Sequence, residues 1–239
     1  MIRNIFDTLR TLFYAILIAL VIRTLFFEPF NIPSGSMKPT LLVGDYLFTS
    51  KYSYGYSKHS LPFSPPLFGG RVLKDLPERG DVVVFKLPSD GRTDYIKRVI
   101  GLPGDRVQMR AGQLFINDEP VRKERIGSFV DDGEGGREFA RFVETLPNGR
   151  QYEVLDATPR GPYDTTREFE VPTDHLFVMG DNRDNSMDSR TRFVGFVPVE
   201  NLVGRAEIIF FSTDGSAALW ELWRWPFAIR YGRLLDGID

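Results

Sequence analysis

Two serines flank a glycine in the stretch Ile32-Pro33-Ser34-Gly35-Ser36-Met37-Lys38-Pro39-Thr40-Leu41-Leu42, and two prolines bracket them. Pro33 and Pro39 restrict φ at their own positions and bias the preceding residues toward extended backbone, so helix is disfavoured here. Gly35 permits a close backbone approach that a side chain would block, which brings the Ser36 N–H near whatever Ser36 Oγ attacks. A stiff loop of this kind can supply a nucleophile, one backbone donor and, from Ser34, one hydroxyl donor. The simpler reading of the same residues is a Ser/Gly/Pro turn, and only a base able to activate Ser36 would displace it.

A hydroxyl is a weak nucleophile until a base takes its proton. The chain has two histidines, His59 and His175, far apart and each without a second histidine at ligand spacing. With no cysteine, thiol chemistry, disulfides and cysteine-ligated zinc are excluded. No metal site is expected: it would have to be nearly all carboxylate, and the run Asp181, Arg183, Asn185 fails as a calcium loop because a cation stands at a ligand position and the terminal Glu is missing. A Ser-His-Asp triad could draw only on His59 or His175; with histidine this scarce and His59 in a loose Pro/Ser segment, lysine is the alternative base. A free lysine has a pKa of about 10.4, so about one in a thousand is neutral near pH 7.4, and a lysine base must be stripped of water. Lys51 and Lys58 lie in polar surroundings, and Lys38 is expected to be exposed beside Pro39. Lys86 and Lys97 lie in β-rich stretches, with Lys97 among Ile96 and Val99 and Arg98 directed to the opposite face. Desolvating an amine enough to lower its proton affinity a hundredfold costs about 2.7 kcal/mol, which a domain of this size can absorb. On these residues alone, a half-exposed strand lysine remains the alternative for Lys97.

The elements that must position these groups are mostly strands. Asp81–Lys86 reads as a buried strand and Tyr95–Ile100 as a second, with a short strand near Tyr46–Ser50. Arg106–Arg110 and Gln113–Asn117 flank an Ala111-Gly112 turn, and Phe142–Leu146 and Gln151–Leu155 bracket Asn148-Gly149, both hairpin patterns. Between Glu119 and Val171 charges and turn signals multiply, including Asp131-Asp132-Gly133, and this segment reads as a solvated β subdomain inserted into the first. Near the end, Phe177–Met179 runs into the long polar loop Gly180–Arg190, followed by the apolar Phe193–Val199 and Ala206–Phe211. The division expected is an anchor over 1–28, a core over 29–118 and 172–212, the insertion over 119–171 and an aromatic tail over 213–239. The tail, Leu219–Phe227, suits either a bilayer interface or an aromatic satellite core.

Leu9–Phe27 is apolar except near its ends and just suffices to cross a bilayer core, which needs roughly 20 helical residues. No small-x-small cleavage site follows, so a retained anchor is favoured over a removed leader. Arg3 and Arg10 before the span against Glu28 after it put the amino terminus in the cytoplasm and the body outside. The net charge of −2, with both signs interspersed, disfavours a nucleic-acid partner.

Three separated stretches, in order behind such an anchor, resemble the bacterial type I signal peptidases, the membrane-anchored Ser/Lys endopeptidases that remove leader sequences from exported proteins. They are IPSGSMKPTLLVGDYL at Ile32–Leu47; RGDVVVF at Arg79–Phe85 with DYIKRVIGLPGDRV at Asp94–Val107; and GDNRDNSMDSRTRFVGFVP at Gly180–Pro198. The resemblance implies a mainly β fold, an antiparallel core with an inserted smaller β subdomain plus one N-terminal transmembrane helix. It implies Ser36 as nucleophile, Lys97 as general base, and an oxyanion hole from the Ser36 N–H and the Ser34 hydroxyl. Ser186 would hold the Lys97 amine, Asp188 would pair with Arg190 to fix that loop, and Ile32, Met37, Leu41, Tyr95 and Ile96 would line shallow apolar pockets. No cofactor is implied. The implied partners are preprotein signal peptides with small residues at the first and third positions before the cut, membrane phospholipid, and a secretion translocon as a further contact. The implied location is the bacterial inner membrane, single-pass, with the catalytic domain on its outer face. Two rival readings are a self-cleaving Ser/Lys peptidase and a non-enzymatic membrane-tethered binding domain; the first lacks a basic DNA-binding segment, and the second gives the two serine-bearing loops no joint task.

Overall fold

The computed structural model describes residues 2–62, 64–131, 135–158, 160–218 and 220–238. It begins with helix α1 (Ile2–Leu25), whose stretch Phe6–Leu25 is long and apolar enough to cross a membrane and buries nothing against the rest of the protein. The helix ends earlier than the apolar run suggests. Pro29 disfavours helical backbone at Glu28, and β1 (Phe27–Asn31) is claimed by pairing with β2 (Asp45–Ser50), Phe27 opposite Ser50.

The strands that follow are β3 (Val82–Lys86), β4 (Asp94–Gly101), β5 (Arg106–Arg110), β6 (Gln113–Ile116), β7 (Glu119–Pro120), β8 (Arg122–Asp131), β9 (Arg137–Thr145), β10 (Gln151–Asp156), β11 (Phe169–Glu170), β12 (His175–Met179), β13 (Val197–Pro198), β14 (Leu202–Ser212) and β15 (Asp236–Gly237), the last preceded by a one-turn helix α2 (Trp225–Ala228). The main sheet runs β1-β2-β14-β3-β4-β12-β13, with β15 added to β14. A second sheet is β10-β9-β8 and a third is β11-β5-β6-β7. The pairings between these strands are antiparallel, as in the mainly β fold expected.

Burial follows the residue pattern. Val82–Phe85 is covered on both faces, as a continuous apolar run requires, whereas β5 and β6 bury alternate residues, Val107, Met109, Leu114 and Ile116. Those four join Phe169, Val171 and Phe177 in one core cluster. That cluster redraws the expected insertion. β7 pairs β6 and β11 pairs β5, so the pairings cross the boundary drawn at 119 because the hairpin at 106–116 needs those edges to close its apolar face.

In the segment expected to form a solvated subdomain, β8 and β9 make a long ribbon, and Asn148-Gly149 turns β9 into β10. Asp132 and Gly133 of the expected turn lie outside the described residues. In the tail, the two alternatives divide between residues: the Trp225 ring packs 6.2 Å from Phe211 with its indole N–H on the Ala218 carbonyl, while Trp220, Trp223 and Phe227 are exposed. Leu219 lies outside the described residues.

Another cluster, which includes Met37, Leu41, Leu47, Val82, Ala206 and Ile209, lies under the loop that carries Ser36. Leu47 is fully buried in it. Leu47→Ala is expected to lower unfolding free energy by about 2–5 kcal/mol, read from denaturant unfolding in detergent.

Candidate active site

After β1 the chain stays extended through Ser34 and then makes a single 3-10 turn, Gly35–Met37, closed by the Lys38 N–H on the Gly35 carbonyl at 3.2 Å. Ile32 anchors the entry: its N–H donates to the Asp45 carbonyl at 2.8 Å, and its carbonyl accepts from the Gly44 N–H at 3.0 Å. The exit is anchored from below, where Met37 and Leu41 are wholly buried. Ser36 is thereby held at the floor of a cleft, nearly buried, with the Ser34 Oγ 3.4 Å from its own.

Lys97 comes to Ser36 from β4. The two-residue period of the strand sends Lys97 toward the loop and Arg98 to the other face. The Lys97 Nζ lies 2.7 Å from Ser36 Oγ and 2.8 Å from the Ile96 carbonyl, and the residue is 3% exposed. Burial pushes this amine down to about 8, against the pull of the Asp188 and Asp181 charges. About a fifth of such a group is neutral at pH 7.4, against about a thousandth of a free lysine. Lys38, expected exposed, is buried instead, because the ammonium forms an ion pair with Asp131. His59 is buried against Ser64, its Nδ1 3.0 Å from that hydroxyl, and neither histidine lines the cleft.

Ser186, expected to hold the amine, lines the same cleft with a buried hydroxyl, and the Lys97 amine donates to the Ile96 carbonyl of its own strand. Asp188 and Arg190 do come together as a buried two-pronged pair, Nε to Oδ1 at 2.9 Å and Nη2 to Oδ2 at 2.8 Å. Burial alone would raise the Asp188 carboxyl; the Arg190 guanidinium and the Gly180 N–H override it and hold the group below the usual carboxylate range.

The 180–190 loop does more than this. Arg98, fully buried, grips Asp181 with Nε to Oδ1 at 2.9 Å and Nη2 to Oδ2 at 2.8 Å, and Thr40 of the serine loop donates to the same carboxylate at 2.6 Å. Asn182 donates its N–H to the Ser36 carbonyl and its Nδ2 to the Gly35 carbonyl, each at 3.1 Å. Arg183 pairs with the buried Glu144 of β9 at 2.6 Å. Sequence reasoning gave none of these residues a role. The available signal was the density of alternating charges in a loop between two apolar runs, too polar to be buried unless every charge finds a partner.

The cleft above Ser36 has a volume of about 500 Å³. Ile32, Tyr95 and Ile96 line it, together with Phe30, Val84, Tyr163 and Met187. Met37 and Leu41 do not, because both side chains point into the core beneath the loop. Near one end, the carboxylates of Asp156, Asp164 and Asp184 lie within 4.8 Å of one another, but the Lys123 ammonium already sits 2.7 Å from Asp156, and backbone N–H groups cap Asp164 and Asp184.

Residues 5–211 match the family described as Signal peptidase, peptidase S26. The chain is 49% identical to a signal peptidase I of Rickettsia typhi and 48% identical to that of Rickettsia prowazekii, in each case over 84% of this chain and 78% of the relative. A solved structure of a signal peptidase I from Enterococcus faecalis V583 is 26% identical, covers 55% of this chain and 97% of its own, and superposes with a TM-score of 0.33.

The buried Arg98–Asp181 pair joins the base-bearing strand to the loop that pins Ser36. Arg98→Met, which leaves Asp181 charged and unmatched, is expected to cost about 3–5 kcal/mol of stability, measurable as a lowered denaturant midpoint. A loss under 1 kcal/mol would mean the pair is not a structural link.

Proposed function

The chain belongs to the signal peptidase family, peptidase S26, a membrane-bound serine endopeptidase that removes signal peptides from preproteins, and we propose that it does so through a Ser36/Lys97 dyad and an acyl-enzyme. One observation carries the dyad: a lysine amine 2.7 Å from the Ser36 hydroxyl, buried, with its pKa brought down to about 8. In its neutral form the amine accepts the Ser36 proton as Oγ attacks the scissile carbonyl. The developing O⁻ is met by the Ser36 N–H and the Ser34 hydroxyl. The ammonium of Lys97 then returns the proton to the departing amine, leaving the acyl group on Ser36. Lys97 next takes a proton from water, the hydroxide attacks the ester, and Ser36 Oγ leaves with that proton.

The substrate backbone suits the cleft. Among the described residues β1 is an edge strand, and the start of β4 has no partner on its β12 side, since β12 pairs only from Arg98 onward. An extended peptide laid between these two edges can hydrogen-bond to both. Ile32, Tyr95, Ile96 and Val84 leave small apolar hollows beside Ser36, which favours alanine-sized residues at the first and third positions before the cut.

β1 connects α1 to Ser34 by roughly 25 Å of extended chain, so cleavage takes place near the membrane surface. We assign the chain to the bacterial inner membrane with Arg3 and Arg10 on the cytoplasmic side and the β domain outside. The exposed Trp220, Trp223 and Phe227 support phospholipid contact.

A preprotein carrying an alanine-x-alanine site, incubated with detergent-solubilised protein, is expected to be cut after the second alanine. Ser36→Ala and Lys97→Ala should abolish the cut with the fold intact, and Lys97→Arg should be equally inactive because guanidinium keeps its proton. Near wild-type turnover by Lys97→Arg would remove Lys97 as base.

Only neutral Lys97 can act, so kcat/KM is expected to rise with pH and level off above about 8, falling about tenfold per pH unit below it. Because the folded pKa lies below the ordinary 10.5, the unfolded chain binds more protons between those values, and this group's contribution to stability grows as pH rises through that window. An acid limb centred near pH 6 would point to a different base.

A further inference from the structure

Lys38 follows the nucleophile turn by one residue and sits 93 residues before its partner, Asp131, at the far end of β8. Both are buried, at 6% and 4% exposure. The Lys38 side chain reaches Asp131 by folding back across the turn. Its Cδ, Cε and Nζ lie 3.1–3.3 Å from the point where a side chain at Gly35 would begin. The pair therefore clamps the Gly35–Met37 turn from the ribbon side, while Asn182 holds the Gly35 and Ser36 carbonyls from the other.

We propose that Lys38 and Asp131 are positioning residues: the β8–β9 ribbon acts through this ion pair as a strap that sets Ser36 against Lys97. This rests on Ser36 and Lys97 forming the dyad. A buried ion pair adds little net stability over an apolar pair of the same volume. What it adds is direction, since the ammonium is satisfied only when the ribbon end and the turn stand in one arrangement. The ribbon supplies the rigidity, because Arg183 ties its second strand to the loop that also holds Asn182. A turn released on one side keeps its floor of Met37 and Leu41, and so keeps its fold, but Ser36 Oγ drifts from the Lys97 amine.

The test compares full-length protein in detergent carrying Lys38→Met/Asp131→Leu, which removes both charges, with the exchanged pair Lys38→Asp/Asp131→Lys and with Ser36→Ala. On the alanine-x-alanine preprotein, the uncharged double variant is expected to lose about ten- to hundredfold in kcat, with KM within about twofold and its melting temperature close to that of the parent. The exchanged pair should recover most of that kcat. The strap is refuted if the folded double variant keeps the parent kcat, or if the exchanged pair folds and recovers nothing. Should the double variant not fold, the exchanged pair alone decides. Cleavage surviving in Ser36→Ala would instead overturn the dyad on which the strap depends.

Discussion

The Lys97 amine is held 2.7 Å from the Ser36 hydroxyl and, among the described residues, no carboxylate is in hydrogen-bond contact with it. A carboxylate at that distance would stabilise the charged amine and raise its pKa. Leaving the amine dry and charge-unmatched costs folding energy, and the rest of the site is arranged around that cost. The strand that carries Lys97 is in the interior of the main sheet, and the serine loop above it is anchored to β2, to the core and to the 180–190 loop.

The neighbouring charges show the opposite treatment. Arg98, one residue along the same strand, is more deeply buried than Lys97 yet is matched on both prongs by Asp181. Arg183 has Glu144 and Arg190 has Asp188. These pairs match each buried charge with its opposite, and together they fasten β4, β9 and the serine loop to one another. Asp181 and Asp188 still reach Lys97 through space and limit how far burial lowers it, which keeps the group titratable near neutral pH rather than permanently neutral. Placement of two carboxylates at a distance, rather than in contact, tunes the amine.

Strand pairing explains why the cleft is open where it is. β12 leaves β4 at Arg98, and among the described residues β1 has a partner on one side only, so two backbone edges face the same hollow without satisfying each other. Such edges invite a further strand. Here they flank Ser36, and the chain enters them directly from α1.

Much of this architecture was legible before any coordinates. Apolar runs with period two, the Ala111-Gly112 and Asn148-Gly149 turns and the apolar amino-terminal segment mark the strands, hairpins and helix, because alternation and turn geometry are local properties of the chain. The serine loop was recognisable as stiff for the same reason, and Ser36 and Lys97 could be named as candidates. What the chain could not specify locally was which charges would lose water and to whom. Lys38 is covered by a ribbon from far along the chain, and Met37 and Leu41 are drawn into the core that the strands beneath the loop supply. Strand pairings cross position 119 because β5 and β6 take partners that only the closed fold provides. Desolvation sums contributions from elements distant in sequence, so the burial that sets the state of Lys97, and the hydrogen bond that its amine makes to the Ile96 carbonyl, were decided by tertiary packing alone.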